Sequence, residues 1–488
     1  MKWENFKTAG VLARSTRATR QSSAPTVHQP DRDLGLAVSV VIPVYNAVKY
    51  LPILLDSLVA QDIDPELMEI IAIDDGSTDG SGAVLDEYAE RHENIRVFHE
   101  PNSGWPGIPR NQGLAVAEGR YVFFCDADDI LGPEAMRRLV NYGDKHRSDV
   151  VVPRMCSLNG RFVPDVFRTN QVDADLEKCF RTLSPCKLFR REFLRLEKIS
   201  FPTEKVRLED GMMVTKAYLT ASRVSFRADY DFYFVRSRDD SGNITRSGLD
   251  PEGYAWSIGE VSRLIRLHDH DPDRADRVIV DLYRRKGLKI YGPQRWARYS
   301  SARKTAWIEA HHKHVLPHVP EGLDELLPVQ SRPRSQALRV GTLEALAANA
   351  RFEDKLDITP VAVEVVANPD GLYDVQIQLP GQLDDQTFNV ALVERGTGRE
   401  LVLQARTAAL TATCDVTDSD LAFFAPESVI DVYTFLTIDG VPGYRARLHV
   451  DGAGETGYEH LPGVAENVSW YFTKRGNLSA RRHSQSTA

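Results

Sequence analysis

Residues Tyr121 to Asp129 read YVFFCDADD, five apolar residues that end abruptly in three carboxylates, Asp126, Asp128 and Asp129. The apolar run suits a buried strand, and carboxylates just past its C-terminal end sit where open α/β sheets bind ligands. An Asp-x-Asp at that place asks for a hard divalent cation, Mg²⁺ or Mn²⁺. Such an ion takes one or two carboxylates and completes its shell with water and phosphate oxygens, which makes this a candidate metal–diphosphate site. The motif alone is weak. Aspartates also form turns and cap helices, and Asp129 ahead of Gly132-Pro133-Glu134 fits that use equally well.

Its surroundings strengthen the reading. From Val38 the chain runs VSVVIPVYNAVKYLPILLDSLVAQ, a short strand, a Pro-x-Tyr-Asn turn, then a helix with Leu51, Leu54, Leu55 and Leu58 at helical spacing. MEIIAIDDGSTDGSGAVLDEYAE repeats the unit, its strand ending in Asp74-Asp75-Gly76-Ser77. A third strand, IRVFHE, leads through PNSGWPGIPRNQGLAVAEG into the fourth, the one carrying the aspartates. Strands alternating with helices predict a parallel sheet whose functional loops gather at one edge, so Tyr45, Asp75, Asn102, Arg110, Asp126 and Asp128 share one crevice. Each has a use toward a nucleotide sugar: a ring to stack on a pyrimidine, a carboxylate to accept an imide N–H, a guanidinium for base or phosphate. Each taken singly is also explained by packing, turn formation or surface charge.

Ile42-Pro43-Val44-Tyr45-Asn46, Asp74-Asp75-Gly76-Ser77-Thr78-Asp79, Pro109-Arg110-Asn111-Gln112-Gly113 and Asp126-Ala127-Asp128-Asp129 together resemble the successive motifs of inverting family 2 glycosyltransferases with the GT-A fold. The likeness covers about residues 37 to 245. It implies a Rossmann-like α/β catalytic domain in which Tyr45 and Asp75 hold uracil, Pro43 is among the donor-binding residues, Asn102 and Arg110 complete the nucleotide pocket, Asp126 meets the ribose and Asp128 the metal.

An inverting transfer is a one-step displacement at the anomeric carbon, so a carboxylate must take the acceptor's proton. Glu209-Asp210, in VRLEDGMMVTKAYL, stands at the start of a short predicted helix. Acids at a helix start also complement its dipole. The family places such a pair here with the second acid as base, which implies Asp210 as base and Glu209 as its neighbour. Further on, Arg236, Arg238, Thr245 and Arg246 lie in a polar, Gly-containing stretch suited to closing over a diphosphate, with Arg238 the first choice. A solvated basic loop offset by Asp239 and Asp240 is the alternative.

With 488 residues and 42% hydrophobic content the chain can hold two or three domains. No apolar run approaches the roughly 20 residues of a membrane span, and the start lacks the apolar core of a secretory signal. Residues 1 to 36, rich in Arg, Ser, Thr and Gln, read as disordered, with Trp3 and Phe6 able to dock. Five cysteines without paired metal spacing match a reducing compartment. These features predict a cytoplasmic enzyme, at most peripheral to the inner membrane face. A net charge of −9 gives no general attraction to nucleic acid.

The assigned layout is a disordered segment (1–36), the catalytic domain (37–248), a helical linker (249–355), an immunoglobulin-like antiparallel β-sandwich (356–452) and a tail with an aromatic motif (453–488). In the linker, Lys286, Lys289, Arg295, Arg298, Arg303 and Lys304 alternate with Tyr291, Trp296, Tyr299 and Trp307. That pattern serves either a polyanion surface or an amphipathic region packing its aromatics on the catalytic domain. From about residue 356, alternating runs separated by Asn-Pro-Asp-Gly, Gly-Thr-Gly and Asp-Gly turns predict the sandwich. The whole layout, with NVSWYFTKRGNLS near the end, resembles the wall teichoic acid glycosyltransferases that act on poly(ribitol phosphate). The resemblance implies a UDP-sugar donor, Mn²⁺ or Mg²⁺ as cofactor, a polyanionic cell-wall acceptor and a homo-oligomer, a trimer in relatives. Two other readings stay open: a capsular polysaccharide or glycolipid acceptor, and a non-catalytic polysaccharide-binding protein, which would lack the metal and base carboxylates that this chain has.

Overall fold

A computed structural model describes residues 29–483, apart from 162, 164–165, 167–168, 240–247, 357–361, 368–371, 384–385, 444, 449–467 and 474–476. The strand-helix units open the catalytic domain: β1 (Val38–Val44), α1 (Leu51–Val59), β2 (Met68–Asp75), α2 (Ser81–Arg91), β3 (Ile95–Glu100), α3 (Gly107–Val116) and β4 (Tyr121–Phe124). There follow β5 (Ile130–Leu131), α4 (Ala135–His146), β6 (Val150–Pro153), β7 (Met155–Leu158), α5 (Leu176–Cys179), β8 (Leu188–Arg190), α6 (Arg191–Leu196), α7 (Glu209–Thr220), β9 (Val224–Arg227) and β10 (Tyr233–Arg236). The main sheet has the order β3-β2-β1-β4-β8-β6-β9, and β5-β10-β7 form a small second sheet.

The four strands predicted as parallel are parallel, but the sheet as a whole is mixed. β8 runs antiparallel to both β4 and β6. Its pairing shows why: Leu188 faces Phe123 and Arg190 faces Tyr121, so the chain enters β8 at the carboxyl edge of β4 instead of crossing back to the opposite edge. This entry carries Cys186 and Lys187 to the ligand-binding edge.

Alternation along the strands sends Val40, Ile42, Ile70 and Phe123 to one face and Val41, Ile71, Val122 and Phe124 to the other. The second face continues into the helical region without a break. Its core takes in Met213, Ala217 and Tyr218 of α7, then Ile258, Ile279, Trp307 and Leu338. These last belong to α8 (Pro251–His268), α9 (Pro272–Leu282), α11 (Ser301–His314) and α12 (Arg332–Val340), with α10 (Pro293–Trp296) short and α13 (Leu343–Leu356) leading out. Asp250, Asp271 and Ser300 cap α8, α9 and α11 by accepting the N–H of Gly253, Arg274 and Arg303. The linker is therefore fixed against the catalytic domain through the helix that carries Glu209 and Asp210.

The C-terminal unit is two packed antiparallel sheets. One has β11 (Ala362–Ala367), β12 (Leu372–Gln378), β15 (Arg406–Ala408) and β16 (Thr411–Thr417); the other is built on β13 (Thr387–Glu394), β14 (Glu400–Gln404) and β17 (Val429–Ile438). Tyr373, Val375, Phe388, Val390, Val432 and Trp470 fill the space between them. Two boundaries move. Short β18 (Val441–Pro442) and β19 (Ala446–Arg447) flank β17, and β20 (Val468–Phe472) with β21 (Leu478–Arg482), from the stretch read as a tail, joins the second sheet through β21 against β17. At the other end, residues 29–36 are not loose: the Gln29 side chain donates to the Asp62 carbonyl at 2.7 Å and accepts the Asp64 N–H at 3.1 Å. Trp3, Phe6, Thr245 and Arg246 lie outside the described residues.

Candidate active site

Pro43 pairs with Ile73, which brings Tyr45 and Asp75 together at the carboxyl edge. Tyr45 is 51% exposed, an open ring suited to stacking. Asp75 is buried, and its carboxylate accepts the Ser103 N–H at 2.7 Å and the Ser103 hydroxyl at 2.9 Å, while Asn102 Nδ2 donates to the Asp75 carbonyl at 2.8 Å. Gly76, at φ +70°, lets this approach happen, since a Cβ there would stand 2.7 Å from the Asn102 nitrogen. The turn after β1 is stitched to the same place: Asn46, at φ +47°, donates its N–H to Ser77 and accepts the Thr78 N–H through its side chain. Asp75 and Asn102 thus form one rigid wall.

The acidic cluster lies beside it. Asp126 receives a hydrogen bond from Arg110 at 2.9 Å, and its N–H is held by the Tyr233 hydroxyl. Asp129 is buried and accepts the Arg236 N–H at 2.7 Å. Asp128 is 17% exposed, with the Arg238 guanidinium 3.9 Å from its carboxylate. Burial pushes the Asp128 carboxyl up to about 6 and the neighbouring Asp126 charge adds to the effect. Asp129 is pushed up for the same two reasons in the same order. Hard oxygen donors carrying a surplus of negative charge at a strand end are what a divalent cation fits, and among the described residues the group of potential ligand atoms that all come within 4.8 Å of one another belongs to Asp126, Asp129 and Cys186 and not to Asp128.

Arg110 pairs with carboxylates at this edge. Its side chain is 5% exposed and lies between the two acidic groups: Nη1 donates to Asp210 at 2.6 Å and stands 3.7 Å from Glu209, while Nη2 holds Asp126. The Phe201 ring backs it at 5.3 Å. Leu208 sits in the left-handed region at φ +58°, an unfavourable conformation for a branched side chain, and this turn starts α7 with both acids directed toward Arg110. Burial pushes Glu209 up to about 8, helped by the charge of Asp210 and opposed by Arg110. It pushes Asp210 up to about 6, against the pull of Arg110 and Lys187. The Asp210 side chain keeps 30% of its surface open although protein surrounds it, as befits a group on the floor of a cleft.

The segment after β10 lies over this edge. Arg238 donates to the Asn46 carbonyl at 3.0 Å and faces the Tyr50 ring at 5.0 Å, and Arg236 donates to the Asp128 carbonyl. Asp239 pairs with Lys49 and accepts the Tyr50 hydroxyl. Reading the sequence did not single out Ser103, Tyr50, Tyr233, Cys186 or Lys187. Only Lys187 left a trace, a lone charge heading the apolar Leu188-Phe189 run. In the linker, Tyr291, Trp296 and Trp307 are core residues, so packing is the use of those aromatics. The basic side chains around them divide: Lys304 and Arg303 lie over Trp296 and Tyr299, Arg295 donates to the Tyr299 hydroxyl, and Arg285 pairs with Asp281.

A parallel sheet edge with an Asp-x-Asp cluster facing an acid at the start of a helix defines a GT-A-type nucleotide-sugar site. The comparisons agree. Residues 39–208 match the profile described as Glycosyl transferase family 2, and residues 251–350 that described as Glycosyl transferase TarS linker domain. The poly(ribitol-phosphate) beta-N-acetylglucosaminyltransferase TarP of Staphylococcus aureus (strain N315) is 31% identical over 236 residues, 47% of this chain and 72% of the relative. The poly(ribitol-phosphate) beta-glucosyltransferase of Bacillus spizizenii is 35% identical over 300 residues, 58% of this chain and 47% of the relative; the chain thus spans about half the length of that protein. The crystal structure of S. aureus TarS 1-349 in complex with UDP-GlcNAc superposes with a TM-score of 0.60 at 27% identity, covering 72% of this chain and 97% of that one. The chain belongs to the family 2 glycosyltransferases, in the branch that carries a TarS-type linker.

Proposed function

We propose that the protein is a metal-dependent inverting glycosyltransferase that moves a sugar, N-acetylglucosamine or another hexose, from a UDP-sugar to a hydroxyl of a cell-wall polyol-phosphate polymer such as poly(ribitol phosphate). The observation that carries the reading is the single cleft in which Arg110 ties Asp210 to the Asp126–Asp128 cluster. Tyr45 stacks on uracil, and the wall of Asp75 and Asn102 bounds the nucleotide. Asp126 faces the ribose and Asp128 holds Mn²⁺ or Mg²⁺. The cation, when bound, neutralises charge on the departing diphosphate. Asp210, ionised above about pH 6, takes the proton of the acceptor hydroxyl as its oxygen bonds to the anomeric carbon and the bond to the diphosphate breaks. Glu209, pushed higher, stays protonated near neutral pH and adds no second negative charge beside the base. Arg238 closes over the diphosphate.

The acceptor part of the reading is supported by the named activities of the relatives and by the basic residues of the linker, among them Arg295, Arg303 and Lys304. A polyanion would be held there by ion pairing. The reading carries with it a cytoplasmic enzyme working at the inner membrane face and a homo-oligomer, with the trimer as the state to look for. Among the described residues no helix is long and apolar enough to cross a membrane. The test is UDP release from a panel of UDP-sugars with Mn²⁺ or Mg²⁺, with and without poly(ribitol phosphate), and Asp210→Asn as control. Polymer-stimulated release from one donor, lost in the variant, supports the proposal. Release without polymer stimulation discards the acceptor and points to a capsular polysaccharide or glycolipid, and silence across the panel overturns the UDP-sugar donor.

A further inference from the structure

Trp105 joins the wall that bounds the nucleotide to the segment that leads into α7. The Ser103 hydroxyl that bonds to Asp75 lies 3.0 Å from the Trp105 carbonyl oxygen. On the other side, the Arg207 guanidinium stands 5.4 Å from the centre of the indole and the Lys205 ammonium 5.9 Å. Both cations come from the loop ahead of Leu208, whose turn starts α7 with Glu209 and Asp210. That loop is fixed at its root. Asn111 of α3 donates to the Phe201 carbonyl and accepts the Phe201 N–H, each at 2.9 Å, and the Phe201 ring backs Arg110. Gly107 permits the approach, since a Cβ there would stand 2.3 Å from the Pro202 carbonyl oxygen. Farther along, the loop opens to solvent: Lys205 is exposed, and Trp105 and Arg207 are half-buried.

We propose that Trp105, Lys205 and Arg207 form an acceptor subsite that takes a phosphodiester of the polymer, with the indole holding the two cations in place. The inference rests on the reading of the acceptor as a polyol-phosphate polymer. In such a polymer every polyol is flanked by phosphodiesters, so the hydroxyl that gives its proton to Asp210 arrives with a phosphate close by. The surface beside the base then has to supply a cation. Arg110 is not available, being 5% exposed and committed to Asp126 and Asp210, and Lys187 is fully buried. Arg238 is turned to the donor side, where it donates to the Asn46 carbonyl. Lys205 and Arg207 reach solvent at the start of the helix that carries the base. Two like charges against one indole repel each other, and a phosphate bound by both relieves that repulsion. A guanidinium with a second cation beside it also suits the two free oxygens of a phosphodiester.

The experiment measures binding of poly(ribitol phosphate) to the full-length protein with UDP and Mn²⁺ present, at several salt concentrations. Arg207→Gln is expected to weaken binding by roughly 10-fold, as for a lost hydrogen bond between charged groups. Lys205→Gln, at an exposed position, is expected to weaken it by about 3-fold. Each should flatten the dependence of affinity on salt, because one ionic contact fewer is screened. Trp105→Leu should weaken binding with both cations still present, whereas Trp105→Phe keeps a ring for them and should lose less. If Arg207→Gln or Trp105→Leu fails to fold, Lys205→Gln carries the test alone. Wild-type affinity and an unchanged salt dependence in the lysine and arginine variants overturn the proposal. A wild type that binds no poly(ribitol phosphate) removes the polyol-phosphate acceptor, and the subsite with it; a wild type that binds, with variants that bind equally, removes the subsite only. Phosphatidylglycerol vesicles form the second arm. Variants that lose vesicle binding while keeping polymer binding show that the phosphate taken is a lipid headgroup, which also overturns the proposal.

Discussion

Arg110 donates to Asp210 at 2.6 Å and to Asp126 at 2.9 Å, so one guanidinium spans the proposed base and the proposed metal cluster. Only a planar fork reaches both, because an ammonium is a single point of charge on a shorter reach. Arg110→Lys is expected to lower kcat by about 100-fold or more while donor KM changes little, consistent with misplacement of the base. Arg110→Met leaves Asp126, Asp210 and Glu209 without their shared cation, and a buried pair broken in this way costs about 3–5 kcal/mol. Because the stranded acids can protonate, the deficit shrinks as pH falls. Denaturant unfolding at pH 8 and pH 5 checks this, and equal losses at both would count against the clamp.

Asp210 is raised by burial, and so is its neighbour, Glu209. For a carboxyl raised in this way, the ionised form burdens the folded state, and the burden grows as pH climbs through the unfolded value. Asp210→Asn is therefore expected to abolish turnover and to leave the thermal midpoint at pH 7.5 unchanged or higher. The wild-type kcat should fall on the acid side with an inflection near the pKa of about 6. An acid limb lying below pH 4.5 would remove Asp210 from the role.

How much of this could be read beforehand depends on range. The four strand ends were legible because each places its loop by local pattern: Val38–Val44 and Met68–Asp75 are β-branched runs broken by turn residues. That Asp126 and Asp210 share one cleft followed only from resemblance, since 84 residues separate them in the chain. The role of Arg110 as a clamp was hidden, because a guanidinium in a loop-to-helix stretch looks the same whether it meets phosphate or carboxylate. Lys187 was hidden for a topological reason. Alternation of strands and helices predicts parallel neighbours, and nothing local says that β8 enters from the carboxyl edge. The place of the tail was not legible because β20 and β21 are short and join the sheet through β21 alone, whose partner β17 lies far earlier in sequence.

Asp128 offers a metal test that does not depend on turnover. Burial and the Asp126 charge hold its carboxyl up at about 6, so at pH 7.5 its ionised form costs the folded state on the order of 3 kcal/mol. A divalent cation bound there offsets that cost by mass action, and Mn²⁺ or Mg²⁺ should raise the thermal midpoint of the wild type. Asp128→Asn is expected to melt higher than the wild type in EDTA and to lose most of the metal-dependent shift. The advantage of the variant in EDTA should fade below pH 5, where the wild-type carboxyl is protonated. A metal shift undiminished in Asp128→Asn would move the ligand elsewhere in the cluster.

Tyr45 has the opposite character, since its ring is half exposed. Its proposed work is stacking on the uracil, worth about 1–3 kcal/mol for an aromatic under a base. Tyr45→Ala should therefore raise the KM for the UDP-sugar by roughly 10- to 100-fold, with kcat at saturating donor nearly unchanged, because stacking is present equally before and during transfer. Tyr45→Phe should keep most of the affinity, as the ring face and not the hydroxyl makes the contact. Titration with UDP alone checks the same point without an acceptor. If Tyr45→Ala binds UDP as tightly as the wild type, the base lies elsewhere along the sheet edge, and the wall of Asp75 and Asn102 must hold it without a stacking partner.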